Sequence, residues 1–110
     1  MNISITDKDY DRKKRAEFVL YEVLDPELMV NVIDLGLVFE INFHDEENKI
    51  HVLMTLTSPH CPMGDAIQTG VRNTLEREFH GSEIDIELTF EPPWSFDMVS
   101  ADGRAQLQGY

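Results

Sequence analysis

The chain is expected to fold as a two-layer α+β sandwich in the order α-β-β-α-β with a short C-terminal segment, its mixed sheet carrying helices on one face. Two observations lead there. Three segments alternate apolar and polar residues with period two, and two others repeat apolar residues at helical spacing, one at i, i+3, i+4, i+7 and i+8 and the other at every fourth position. The helical segment between the second and third strands is long enough to serve as a crossover, which makes those strands parallel.

The first helix is expected from Asp7 or Asp11 to Leu24, with Ala16, Val19, Leu20, Val23 and Leu24 on one stripe. Asp25-Pro26 should stop it, because proline disfavours helical geometry in the residue before it. Glu27 to Gly36 is too apolar for a free linker and should pack as an ordered loop. Leu37 to His44 sets Phe39, Ile41 and Phe43 against Glu40, Asn42 and His44, and Lys49 to Leu56 repeats the pattern with Ile50, Val52, Met54 and Leu56. The polar Asp45-Glu46-Glu47-Asn48 joins them as a hairpin. A second helix follows, with Ile67, Val71, Leu75 and Phe79 on its stripe, small Ala66 and Gly70 allowing close approach, and His80-Gly81-Ser82 ending it. The third strand, Glu83 to Glu91, alternates most cleanly, leaving one sheet face wet. Pro92-Pro93-Trp94-Ser95 turns a corner, and a short helix is expected around Ala101 to Gln108.

At 110 residues a single domain spanning 1–110 is expected. No apolar run approaches the roughly 20 residues of a membrane span, and the N-terminus lacks a secretory pattern, so no membrane association and a cytoplasmic address are expected. Nine basic against 21 acidic side chains give a formal charge of −12. Five of the basic ones, Lys8, Arg12, Lys13, Lys14 and Arg15, cluster near the start, so from Ala16 onward four basic face 18 acidic residues. Such a surface repels phosphate backbones, which excludes nucleic acid as a partner. The basic run itself reads as a solvated helix face or a docking patch.

The chemistry concentrates in Thr55-Leu56-Thr57-Ser58-Pro59-His60-Cys61-Pro62, where the second strand runs into a turn carrying the only cysteine. Proline is favoured at the first helical position, which would make Cys61 the N-cap of the second helix. Unpaired N–H groups and the positive end of the helix dipole would then lower the thiol pKa. The competing account is a small, partly buried apolar residue closing the turn. His60, as an imidazolium, could stabilise the thiolate. No oriented third group completes a nucleophilic triad, so a non-catalytic role is expected.

Three stretches stand out together: Asp25-Pro26-Glu27 with Asn31-Val32-Ile33-Asp34-Leu35-Gly36-Leu37-Val38, the cysteine turn, and Pro92-Pro93-Trp94-Ser95 with Met98. With these motifs in this order, the sequence resembles the iron-sulfur cluster assembly domain family, also called metal-sulfur cluster biosynthetic proteins, with SufT-like and PaaD-like members. The resemblance implies the same α+β fold and an accessory role in building or delivering iron-sulfur clusters, with Cys61 as the functional thiol and metal ligand. It also implies a supporting polar site at Asp25, Glu27, Asp34, Thr55, Thr57 and Ser58, to which His60 is added by its place next to the thiol in the sequence. The implied partners are the assembly machinery and client apoproteins. Two features depart from parts of that family: no phosphate-binding glycine loop of an appended nucleotide-binding domain, and no later cysteine group of the PaaD-like kind.

Clusters usually take four ligands, mostly thiolates, so one thiol per chain cannot hold one unaided. The expected cargo is a transient iron-sulfur cluster or iron, none tightly bound, with further ligands from a client, small thiols or a second copy in a homodimer. Asp25 and Asp34 can equally be turn-forming residues, and Thr55 and Thr57 can satisfy backbone groups. Trp94 is either a lid pinned by its N–H to a carbonyl or, if exposed, a partner-binding anchor. An adaptor that binds the maturation machinery through its acidic surface and loop, with Cys61 structural, is the alternative function.

Overall fold

In the computed structural model, residues 3–58 and 64–108 are described. Helix α1 (Tyr10–Leu20) precedes strands β1 (Val38–His44) and β2 (Lys49–Met54), then helix α2 (Gly64–Glu78), strand β3 (Glu83–Leu88) and helix α3 (Ala101–Leu107). The strand order is β1-β2-β3. β1 and β2 form the expected antiparallel hairpin, with a register shift between Val38 and Glu40, and β2 and β3 are parallel, pairing Ile50 with Ile84 and Val52 with Ile86. The sheet is therefore mixed, and the α+β expectation holds.

Alternation decides which face meets the helices. Ile50, Val52, Met54 and Ile84 join Ala16 and Leu20 of α1 and Ile67, Val71 and Leu75 of α2 in one buried cluster. The opposite face carries Asn42, His51 and Asp85 in one row, with His51 Nε2 2.8 Å from Glu87 Oε1. The turn between β1 and β2 ends on Asn48 at φ 51°, a left-handed conformation that asparagine tolerates better than most residues.

Helix α1 is shorter than the stripe through Leu24 suggested. Beyond Leu20 the bonds tighten to three-residue spacing, Tyr21 N to Phe18 O, Glu22 N to Val19 O and Val23 N to Leu20 O. Val23 and Leu24 then spend their backbone groups on a returning chain: Val32 N donates to Val23 O, Asp25 N donates to Val30 O, and Leu24 bridges Asn31. The loop after Asp25 is thus ordered, as its apolar content requires. β2 and β3 also end early, at Met54 and Leu88 rather than Leu56 and Glu91. Each runs on by one bond, Thr55 N to Leu37 O and Thr89 N to Met54 O, before pairing runs out. Of the two small residues on α2, Ala66 is exposed, and Gly70 makes the close approach, where an added Cβ would lie 3.0 Å from Val23 Cγ1.

The basic run on α1 is a solvated, ion-paired face. Arg12 bonds Asp9 and Asp45 and lies 4.4 Å over the Phe43 ring, Lys13 bonds Asp7 at 2.7 Å, Lys14 bonds Glu17 at 3.1 Å, and Arg15 pairs with Glu78. Arg12 holds the Asp45 carboxyl below its ordinary range, and Lys13 does the same to Asp7. Four of the five clustered cations therefore have acidic partners within the chain.

Candidate functional site

Asp25 begins the frame around the end of β2. Pro26 after it has no N–H, and the Asp25 carboxylate turns to the next two donors, accepting from Glu27 N at 2.8 Å and Leu28 N at 3.1 Å. Asp25 is 1% exposed and Glu27 is on the surface. A buried carboxylate is tolerable only when hydrogen-bonded, and these bonds supply that.

Asp34 is the centre of a second knot. Its Oδ2 accepts from Asn31 Nδ2 at 2.7 Å, its Oδ1 accepts from Ser100 Oγ at 2.8 Å, and its N–H donates to Asn31 Oδ1 at 2.8 Å. Ser100 N donates to Asp34 O at 2.8 Å, while the Ser100 hydroxyl caps α3 by accepting from Gly103 N at 3.0 Å. Each carboxylate oxygen of Asp34 thus has a donor, an arrangement that supports the framework account of this residue. Its negative charge reaches Tyr21, whose phenol is raised above its ordinary pKa by partial burial first and by the field of Asp34 next.

The C-terminal segment grips the same loop at two further points. Trp94 Nε1 donates to Leu35 O at 2.7 Å, so the indole finds the carbonyl a lid requires, with the half-buried ring packed on the core. Gly36 adopts φ +75°, and a Cβ there would lie 2.3 Å from Met98 O. Only glycine meets both demands.

The loop then leads to the cysteine turn. Leu37 O accepts from Thr55 N at 2.8 Å, which places the loop's exit beside the end of β2. Thr55 is fully buried, its hydroxyl 3.4 Å from Leu56 O, and Thr57 and Ser58 are half-buried. Leu56 touches the first described residue of α2: a Cβ on Gly64 would meet Leu56 Cδ1 at 2.7 Å. The two residues that flank positions 57–63 are therefore in contact, and both belong to a frame tied through Leu37, Asp34 and Ser100 to the C-terminal helix. Cys61 and His60, and with them the expected N-cap and first-turn proline, lie outside the described residues.

Asn31 and Ser100 were not assigned roles from the sequence. Ser100 carried a usable signal, a serine just before a helical segment, whereas its bond to Asp34 joins residues 66 positions apart. Among the described residues no group of three or more His, Cys, Asp or Glu could hold a metal ion.

Comparison with known proteins shows the family and the fold. The family model for "Iron-sulfur cluster assembly protein" matches residues 13–87. A Porphyromonas gingivalis protein named "Fe-S protein maturation auxiliary factor" is 40% identical over 89 residues, covering 81% of this chain and 84% of that one. A Staphylococcus aureus relative, "Fe-S protein maturation auxiliary factor SufT", is 40% identical over 85 residues, covering 77% and 96%. The crystal structure of a domain of unknown function from Bacillus anthracis superposes with a TM-score of 0.80 at 33% identity, covering 87% of this chain and 91% of that one. The chain belongs to the iron-sulfur cluster assembly protein family.

Proposed function

We propose that this protein is a non-catalytic, cytoplasmic accessory factor in the maturation of iron-sulfur proteins, and that it acts through the Cys61 thiol. The maturation role is supported by 40% identity to relatives named as auxiliary factors of that process. The thiol is supported by its place in the sequence, three residues ahead of Gly64, the first described residue of α2, because a helix N-terminus, with its unpaired N–H groups and positive dipole end, favours an anion. The frame holds Leu56 against Gly64, the described residues on either side of the stretch whose sequence carries the thiol.

The cargo is a cluster or iron in transit. With one cysteine per chain and no three-ligand group among the described residues, further ligands come from a client, a small thiol or a second copy. Such a site lets go readily, as a carrier must.

Complementation tests this. Cys61→Ser should fold like the wild type and fail to restore iron-sulfur enzyme activity in a deletion strain, and anaerobic reconstitution with iron and sulfide should give a labile chromophore only with Cys61 present. Full restoration by Cys61→Ser overturns the thiol reading and leaves the adaptor reading. For an adaptor, Glu27 is the informative site for charge reversal, because Asp25 and Asp34 are buried and committed to internal bonds.

A further inference from the structure

Among the described residues, five of the seven exposed large hydrophobic side chains fall between positions 18 and 29: Phe18 at 71%, Tyr21 at 45%, Leu24 at 44%, Leu28 at 37% and Met29 at 62%. Scattered exposed apolar residues need no explanation, but a concentration on one stretch does. Local geometry gathers them. The three-residue bonds from Tyr21 to Phe18 and from Val23 to Leu20 give this turn 3₁₀ spacing, in which residues three apart eclipse, so Phe18 and Tyr21 line up and Leu24 follows at the turn's exit. Leu24 then opens the bridged hairpin whose far end carries Leu28 and Met29.

Met29 adds an independent observation. Its φ of 58° lies in the left-handed region that favours glycine, yet the position carries a long apolar side chain that is mostly in solvent. An unfavourable backbone conformation that displays an apolar side chain to water points to a use for that side chain outside the fold.

Acids outnumber bases around the patch. From Glu17 to Val30 the chain holds Glu17, Glu22, Asp25 and Glu27 and no lysine or arginine; Lys14 bonds Glu17, Arg77 lies 3.5 Å from Glu22 and Asp25 is buried, so Glu27, beside Leu28 and Met29, is the exposed acid that no ion pair among the described residues neutralises. We infer that Phe18, Tyr21, Leu24, Leu28 and Met29 form a docking surface for a protein segment presenting apolar side chains flanked by lysine or arginine. A second copy is disfavoured because it brings another −12 of charge, and an anionic lipid surface is disfavoured because the chain carries the same sign. The inference goes beyond the thiol reading and stands without it.

The test uses the full chain with labelled methionine methyls and a short helical peptide carrying leucine at i, i+3, i+4 and i+7 and lysine elsewhere. The Met29 methyl should shift saturably while that of Met54, fully buried in the core, stays in place. Phe18→Ser should weaken peptide binding about tenfold, as loss of an aromatic anchor does, and a peptide with glutamate in place of lysine should not bind. Cys61→Ser should bind as the wild type does, so failure here and failure of the thiol reading are separable. An unmoved Met29 methyl, equal binding by Phe18→Ser, or equal binding of the glutamate peptide overturns the inference. So does a dimer that Phe18→Ser dissociates, or a Met29 shift on adding phosphatidylcholine vesicles alone.

Discussion

Replacing Asp34 by alanine should cost about 3–5 kcal/mol of folding stability. The figure follows from two bonds to its carboxylate, from Asn31 Nδ2 at 2.7 Å and Ser100 Oγ at 2.8 Å, each of a type that contributes about 1.5–3 kcal/mol. Ser100 can rotate its hydroxyl toward another acceptor. Asn31, only 7% exposed, cannot re-solvate its amide and bears the larger share. The backbone bonds, Asp34 N to Asn31 Oδ1 and Ser100 N to Asp34 O, survive the change and keep the loss from growing further. Asp34→Asn should cost less, about 1.5–3 kcal/mol, because one oxygen can still accept from Ser100 while the new amide faces the donor of Asn31. Against a total of about 5–15 kcal/mol for a native domain, the alanine variant loses a large fraction of its stability. Urea unfolding of wild type, Asp34→Ala, Asn31→Ala and the double variant, with equal slopes, measures both the loss and the coupling. A loss below about 1 kcal/mol for Asp34→Ala, accompanied by failure in iron-sulfur maturation, would refute the framework argument and make this carboxylate a working part of the site.

Gly36→Ala should cost about 3 kcal/mol, combining about 1–2 for a left-handed backbone with a similar amount for the forced contact with Met98 O. Gly81 at φ +87° has nothing within 4 Å of its added Cβ, so Gly81→Ala should show only the conformational part; equal losses in the two variants would remove the clash from the account. At the other end of the molecule, the Asp45 carboxyl lies below 3.8 because Arg12 bonds it. Its contribution to stability is present above the unfolded value and is lost as pH falls through the lower folded one. In a carbon-detected NMR titration Arg12→Gln should return Asp45 toward 3.8, and coincident titration curves for wild type and variant would contradict the assignment.

Periodicity carried most of the fold. Three period-2 segments and the apolar stripe of α2 predicted the strand order's essentials, the parallel β2–β3 pair and the buried Ile67, Val71 and Leu75, because local alternation reports directly which face is buried. Boundaries were less legible where a distant segment competes for the backbone. The stripe through Val23 and Leu24 fits a helix, but residues 30–32 claim those groups, and nothing in the 20–24 window reports that competition. The basic run illustrates the same limit, since the partners of Arg12 and Arg15 at Asp45 and Glu78 come from other elements.

For the site, the sequence by itself determined the inventory: one thiol between a strand and a helix, two aspartates in an apolar loop, a tryptophan after two prolines, and a family resemblance carried by those motifs together. Only the tertiary structure decided what the aspartates do. Whether a carboxylate faces solvent, a cation or buried donors depends on groups brought from elsewhere in the chain, and Ser100 reaches Asp34 across 66 positions. Hydrogen bonds of that kind are short in space and unconstrained in sequence, so side-chain patterns can propose a polar site but only the closed fold can say which of its members are already bound to one another.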